Sequence, residues 1–185
     1  MIKSITSKII LLLCIGLVAS SCTEAIDFNQ ADDIILAPAL EASLVYFDEP
    51  ASRFVDNGAT TSSIQDFISV EFFNDQFIVD NLEKAEFVFE TQNTINRTFE
   101  LQVDFLDRAG NLQHSLTVTE DAALDNTDTA TVYTEVFEGN TLIALKRTVA
   151  IVFTLRLLPG EAIDENTAGR IQYKSYAAFY INLNN

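Results

Sequence analysis

Between Ala85 and Val118 the chain alternates apolar and polar residues with a period of two. Ala85, Phe87 and Phe89 interleave with Glu86 and Glu90. Phe99, Leu101, Val103 and Phe105 interleave with Glu100, Gln102 and Asp104, and Leu112, Leu116 and Val118 with Gln113, Ser115 and Thr117. Successive side chains of a strand point to opposite faces, so these are strands buried on one side and wetted on the other. The connections are short and polar, Gln92 to Arg97 and then Asp107-Arg-Ala-Gly-Asn111. Such spacing predicts an antiparallel meander with one wet face.

The pattern extends in both directions. Leu40, Ala42, Leu44 and Tyr46 form the inward side of a strand that Phe47-Asp-Glu-Pro50 ends, and Asp56-Asn-Gly58 marks a turn. Ile68, Val70 and Phe72 face inward from a second strand, and Thr129 to Phe137 reads as another. Val149, Ile151, Phe153, Leu155 and Leu157 run inward while Ala150 and Val152 keep the opposite face apolar, which predicts a central strand stopped by Pro159-Gly160. Ile171 to Leu183 closes the chain. A short helix over Glu138–Arg147 is expected, capped by Asn140 or Thr141. Asn74 to Lys84 fits either a short helix capped by Asn74, with Phe77, Ile78 and Leu82 on one side, or a helical turn. About eight strands and one or two short helices leave too little helix to cover a sheet, so two sheets must cover each other. The expected fold is mostly β, an antiparallel β-sandwich of immunoglobulin-like character. Fourteen Phe with few Gly and Pro suit a packed domain rather than a disordered coat.

The N-terminus has a different grammar. Lys3 and Lys8 precede an apolar run, Ile9 to Ala19, and two serines then lead to Cys22. This is the order of a secretory signal. Its apolar part, at ~1.5 Å per residue, covers about half of a ~30 Å hydrocarbon core, too little for a span. Leu17-Val-Ala-Ser-Ser-Cys22 resembles the lipobox of bacterial lipoproteins, with Ala19 where Leu is usual, as in the looser box of Bacteroidota. The resemblance implies cleavage before Cys22 and lipid on its thiol. The other reading is an ordinary signal cut near Ala19, leaving Cys22 an odd thiol. The expected organisation is a removed signal (1–21), an acidic flexible tether (22–38) and a β-sandwich domain (39–185). Glu24 and Asp27 are similar to the acidic pattern after the cysteine in surface lipoproteins of Bacteroidota. Cys14 leaves with the signal, so the mature domain has no disulfide and no thiolate metal site. The run Asp80 to Phe99, with Val103-Asp-Phe-Leu-Asp107 and Gly110-Asn111, resembles uncharacterised envelope lipoproteins of flavobacteria. That resemblance implies an outer-membrane, lipid-anchored β-sandwich and supplies no activity.

The chain has 27 Asp and Glu against 11 Lys and Arg. Nucleic acid is excluded as a partner, since phosphates require cationic neutralisation. The same acidity repels anionic lipid headgroups, so the lipid and not the surface must hold the protein at a membrane. Chemistry is sparse. His114 is the only histidine, and its parity places it with Leu112 and Leu116 on the apolar side as a hydrogen-bonded packing residue. There is no G-x-S-x-G elbow. Asp121, Asp125 and Asp128 offer carboxylate oxygens to calcium, but without the spacing of an EF-hand, and a solvated acidic loop is the simpler reading. Asp128-Thr129-Ala130 is similar to the three-residue O-glycosylation site of Bacteroidota, with Thr129 as acceptor. Tyr173, Tyr176, Phe179 and Tyr180 are either core and edge packing or an aromatic binding face for a partner protein or glycan, with Tyr173, Tyr176 and Tyr180 its candidates.

These residues favour a non-catalytic, lipid-anchored envelope protein, without cofactor, that binds or scaffolds. The alternative is a carbohydrate- or peptide-binding accessory of an uptake system. A small hydrolase is the third reading and would need a cleft that shifts one carboxyl.

Overall fold

The computed structural model describes residues 39–56, 59–60, 62–124 and 127–183. The signal, Cys22, the acidic tether, the Asn57-Gly58 part of the expected turn and Asp125 lie outside the described residues. The strands are β1 (Ala39–Pro50), β2 (Val55–Asp56), β3 (Ala59–Thr60), β4 (Ser63–Ser69), β5 (Leu82–Asn93), β6 (Phe99–Leu106), β7 (Leu112–Glu120), β8 (Thr129–Phe137), β9 (Ala150–Leu157) and β10 (Arg170–Ile181). Two helices, α1 (Gln76–Asn81) and α2 (Gly139–Lys146), join them. β2 and β3 form a small ribbon. The other strands build two antiparallel four-stranded sheets, β1-β10-β5-β8 and β4-β9-β6-β7. The expected two-layer antiparallel sandwich is what the chain adopts. Numbered without the ribbon, its sheets read 1-8-3-6 and 2-7-4-5, the winding of a jelly roll.

The inner faces seal each other with phenylalanine. Phe87 of β5 meets Phe105 of β6 at 5.5 Å between ring centroids, Phe137 at 5.1 Å and Phe179 of β10 at 6.0 Å, all edge to face. Offset and T-shaped pairs of this kind match the ring quadrupoles and add to the burial of their area. β9 lies between β4 and β6, central as its two apolar faces predicted.

Three expectations need correction. The meander does not run continuously from β5 to β7. β5 pairs with β10 and β8, whereas β6 pairs with β7 and β9 in the other sheet. The connection at 94–98 crosses between layers because its polar groups are satisfied there. Asn93 is fully buried, donates through Nδ2 to the carbonyls of Arg97 and Asp121 at 2.7 Å each, and accepts from the Ile95 amide at 2.9 Å. The Arg97 guanidinium donates to the carbonyls of Leu158 and Glu161. Gly169 supports the same corner at φ +104°, where a Cβ would stand 2.5 Å from the Thr94 carbonyl oxygen.

The parity of β1 also changes along its length. Ser43 lies opposite Tyr176 and Tyr46 opposite Lys174, so Leu44 and Val45 together face Ser175. This bulge turns Val45 and Phe47 inward and leaves Tyr46 56% exposed. Finally, the helix caps shift. Asp75, not Asn74, caps α1 by accepting from the Phe77 amide at 2.8 Å. Glu138 precedes α2, and its amide donates to the Thr141 hydroxyl at 3.0 Å.

The bulge depends on one buried hydroxyl. Ser175 Oγ accepts from the Val45 amide at 3.1 Å and donates to the Val45 carbonyl at 3.3 Å. Ser175→Ala leaves that amide unsatisfied and is expected to lower unfolding free energy by about 1–3 kcal/mol, read from chemical denaturation.

Candidate functional site

Because the odd-numbered residues of β5 and β10 pack inward, their even-numbered residues form the outer face of the β1-β10-β5-β8 sheet. Across its middle, Tyr46 stands opposite Lys174, Lys174 opposite Glu90 and Glu90 opposite Val132. The next row places Tyr176 opposite Val88 and Val88 opposite Thr134. Tyr176 is 37% exposed and Val132 69%. Shallow depressions run along these rows. One of about 400 Å³ is lined by Tyr46, Glu90, Lys174 and Tyr176 among others, and one of about 320 Å³ by Glu90, Gln92, Val132 and Lys174 among others.

The two ends of the face are internally paired. At one end the Tyr180 hydroxyl donates to Glu86 Oε2 at 2.9 Å, Lys84 Nζ lies 2.5 Å from Glu86 Oε1, and that ammonium sits 4.9 Å from the Tyr180 ring centroid. At the other end the Tyr46 hydroxyl donates to Asp48 Oδ2 at 3.1 Å, and Arg170 Nε lies 2.6 Å from Asp48 Oδ1. Desolvation pushes the Asp48 carboxyl up, but hydrogen bonds from Arg170, Gln172 and Tyr46 outweigh it and hold the group below the usual carboxylate range. Between these clusters, Lys174, Glu90 and the Tyr176 hydroxyl have no hydrogen bond or ion pair among the described residues. They are open donors and acceptors beside exposed rings.

The outer face of the other sheet is different. Arg156 bonds Glu100 at 3.2 Å and Gln102 at 2.5 Å, Gln102 donates to Asp104 at 2.8 Å, and Ser115 donates to Asp104 at 2.6 Å. These five side chains satisfy one another.

The remaining candidates are dispersed. Tyr173 is 1% exposed and points into the core, so it does not share a face with Tyr176 and Tyr180. Burial, with the charges of Glu120 and Glu100 nearby, raises its hydroxyl pKa strongly. Asp121 and Asp128 are exposed; Asp128 Oδ2 accepts weakly from Gln92 at 3.4 Å, while Asp121 acts through its carbonyl. No group of three or more potential metal ligands occurs among the described residues. Thr129 opens β8 half-buried, its hydroxyl donated to the Asp121 carbonyl at 2.9 Å.

His114 joins the sheets. Its Nε2 lies 2.8 Å from Glu135 Oε1, and its ring stands edge-on to Phe105 and Phe137 at 5.7 and 5.0 Å. The Tyr133 hydroxyl donates to the other oxygen of Glu135 at 2.5 Å, which pushes its pKa up to about 12. His114 is thus a hydrogen-bonded packing residue. Leu112 departs from its parity and is 58% exposed, because the β6–β7 register shifts at Phe105/Leu106.

Glu120 was not singled out from the sequence, although the alternation through Leu116 and Val118 extends to it. It is fully buried and accepts from the Thr91 hydroxyl. Its Oε1, the Tyr173 hydroxyl and Arg97 Nε have no partner among the described residues. Tyr46, Lys174 and Glu90 were missed for a different reason: only cross-strand register brings them together.

No protein-family model matches the chain, and no curated protein matches it. Solved structures with a similar strand layout include the VP2 subviral particle of infectious bursal disease virus, at 8% identity over 80% of this chain and 33% of that one, with a TM-score of 0.46. This chain therefore spans about a third of that capsid chain. A carbohydrate-binding module, CBM4, is similar at 13% identity over 77% of this chain and 78% of that one, with a TM-score of 0.35. The CBM22-1–GH10 modules of Clostridium thermocellum xylanase 10B, complexed with xylohexaose, are similar at 12% identity over 77% and 27%, with a TM-score of 0.28.

The paired end of the face gives a pH signature. Hydrogen bonds from Lys84 and then Tyr180 hold the Glu86 carboxyl below its usual value of 4.5. A depressed carboxyl pKa stabilises the fold fully above the unfolded value, and this contribution fades as pH falls through the native one. A carboxyl-carbon NMR titration should place Glu86 below free glutamate, and Lys84→Met should move that midpoint upward.

Proposed function

We propose that this chain is a non-catalytic module of the bacterial cell envelope, anchored by lipid at Cys22 to the outer membrane, which binds a neutral glycan on the outer face of the β1-β10-β5-β8 sheet. The carrying observation is the middle of that face, where the exposed rings of Tyr46 and Tyr176 flank Lys174 and Glu90, which have no hydrogen bond or ion pair among the described residues. A sugar ring presents an apolar C–H side to an aromatic ring and hydroxyls at its rim. Tyrosine rings beside an open ammonium and carboxylate match that chemistry. The formal net charge of −16 disfavours an anionic glycan. A passive scaffold has no need of open charged groups beside exposed rings; on the opposite sheet Arg156, Glu100 and Asp104 are held in hydrogen bonds. The non-catalytic reading draws on His114, which is committed to Glu135 and packed against two phenylalanines.

Covering one tyrosine ring contributes on the order of 1.5 kcal/mol, about tenfold in affinity. Calorimetry against a panel of neutral polysaccharides should show one ligand class whose affinity falls about tenfold in Tyr46→Ala and in Tyr176→Ala. Phe67→Ala on the other sheet should bind normally. A folded protein indifferent to every neutral polysaccharide would refute the ligand assignment.

Anchoring has its own test. Several acyl chains hold a protein durably where one holds it weakly. Cys22→Ala should move the protein from the membrane to the soluble fraction of fractionated cells, and unchanged retention would sink the lipid assignment.

A further inference from the structure

Three shallow depressions lie on the outer face of the β1-β10-β5-β8 sheet, and they form a series. The first, of about 460 Å³, is lined by Glu41, Ala42, Ser43 and Tyr176. The second, of about 400 Å³, shares Ser43 and Tyr176 with the first and continues to Glu90 and Lys174. The third, of about 320 Å³, shares Glu90 and Lys174 with the second and reaches Ala130 and Val132. The first and third have no lining residue in common. Register gives the series its direction. It starts on β1 at Glu41 to Ser43, crosses β10 at Tyr176 and Lys174 and β5 at Glu90, and ends on β8. Strands stand ~4.8 Å apart, so the crossing from β1 to β8 spans about 14 Å before its slant along the strands is added. β1 and β8 are the edges of this sheet, and Glu41, Ala42, Ala130 and Val132 at the two ends are exposed. The trough therefore runs out over an edge at either end.

We propose that this trough, given the glycan-binding reading above on which the proposal rests, takes an internal stretch of a linear neutral polysaccharide. At least three consecutive sugar units lie in it, one in each depression. A ligand of one unit suits an enclosed pocket that covers most of its surface. Here each depression is shallow and none dominates, so affinity must be gathered over several of them. The junctions fit such a chain. Tyr176 stands between the first and second depressions, 37% exposed, where its ring can cover the apolar side of a sugar. Lys174 and Glu90 stand between the second and third, directly opposite each other in register. Their charges cancel, and together they offer a donor and an acceptor to sugar hydroxyls without favouring a charged ligand. Because the trough is open over both edges, the polysaccharide passes through it and its termini lie outside.

Calorimetry of the unaltered chain with ladders of linear glucose, xylose and mannose oligosaccharides, from one unit to six, reads this directly. In the ladder that binds, affinity should rise on the order of tenfold from the single sugar to the trimer. Chains with blocked reducing ends should bind as tightly as free ones. Ala42→Lys and Ala130→Lys each place a long side chain in one terminal depression, from an exposed position outside the core. Each should bring the affinity of the trimer down to that of the dimer. A single sugar that binds as tightly as the hexamer would overturn the proposal and leave the glycan reading standing. So would a requirement for a free chain end, or a trimer affinity unmoved in both variants. Binding of no neutral oligosaccharide or polysaccharide would remove the glycan reading itself, and this proposal with it.

Discussion

The contact of Phe87 with Phe105 across the two sheets is the constraint on which the rest of the structure depends. Among the described residues the α-helices are two and short, so each sheet must hide its apolar side against the other. That requirement commits the odd-numbered residues of β5, β6 and β10 to the interior. The even-numbered residues are then left outside, and the whole outer chemistry of the protein follows from this division. A single-residue slip in any of these strands would exchange the two sets. The long registers of β5, continuous with β8 and with β10 from Ile171 to Tyr180, are therefore as much a property of the outer face as of the core.

The sandwich is closed by polar groups. At the 94–98 crossing, Asn93 and Arg97 supply donors to carbonyls that the jump between layers leaves without strand partners. At the β7–β8 seam, His114 meets Glu135 across the gap between the sheets. At the bulge, Ser175 takes the place of a ladder bond. Each is a short or hydrogen-bonding side chain at a position where the ladder is interrupted, which is where an unmet backbone group would be most costly.

The two outer faces are made from similar residues and differ in how those residues are used. On β4-β9-β6-β7 the acids, amides and Arg156 bond one another and leave little to offer. On β1-β10-β5-β8 the bonding is confined to the two ends, and the centre keeps its tyrosine rings, ammonium and carboxylate open. Free groups beside uncovered apolar surface are the usual makings of a recognition surface. This contrast, and not any motif, supports the proposed function.

Alternation alone determined the class of fold, the central place of β9 and the packing role of His114, because side-chain parity in a strand is a local property. It also marked Tyr176 and Tyr180. It could not reveal that β5 leaves the meander for the other sheet, since short polar loops serve hairpins and crossings alike and only the burial of Asn93 distinguishes them. Nor could it place Tyr46, whose parity is reversed by a bulge that requires Ser175, 130 residues away in sequence. Tyr173 was grouped with its neighbours by composition, and its odd position sends it to the core. The pairing of Tyr46, Lys174, Glu90 and Val132 in one row belongs to tertiary structure alone. Cross-strand register joins residues from four separate stretches of chain, and no local pattern within any one of them encodes which neighbour it will meet.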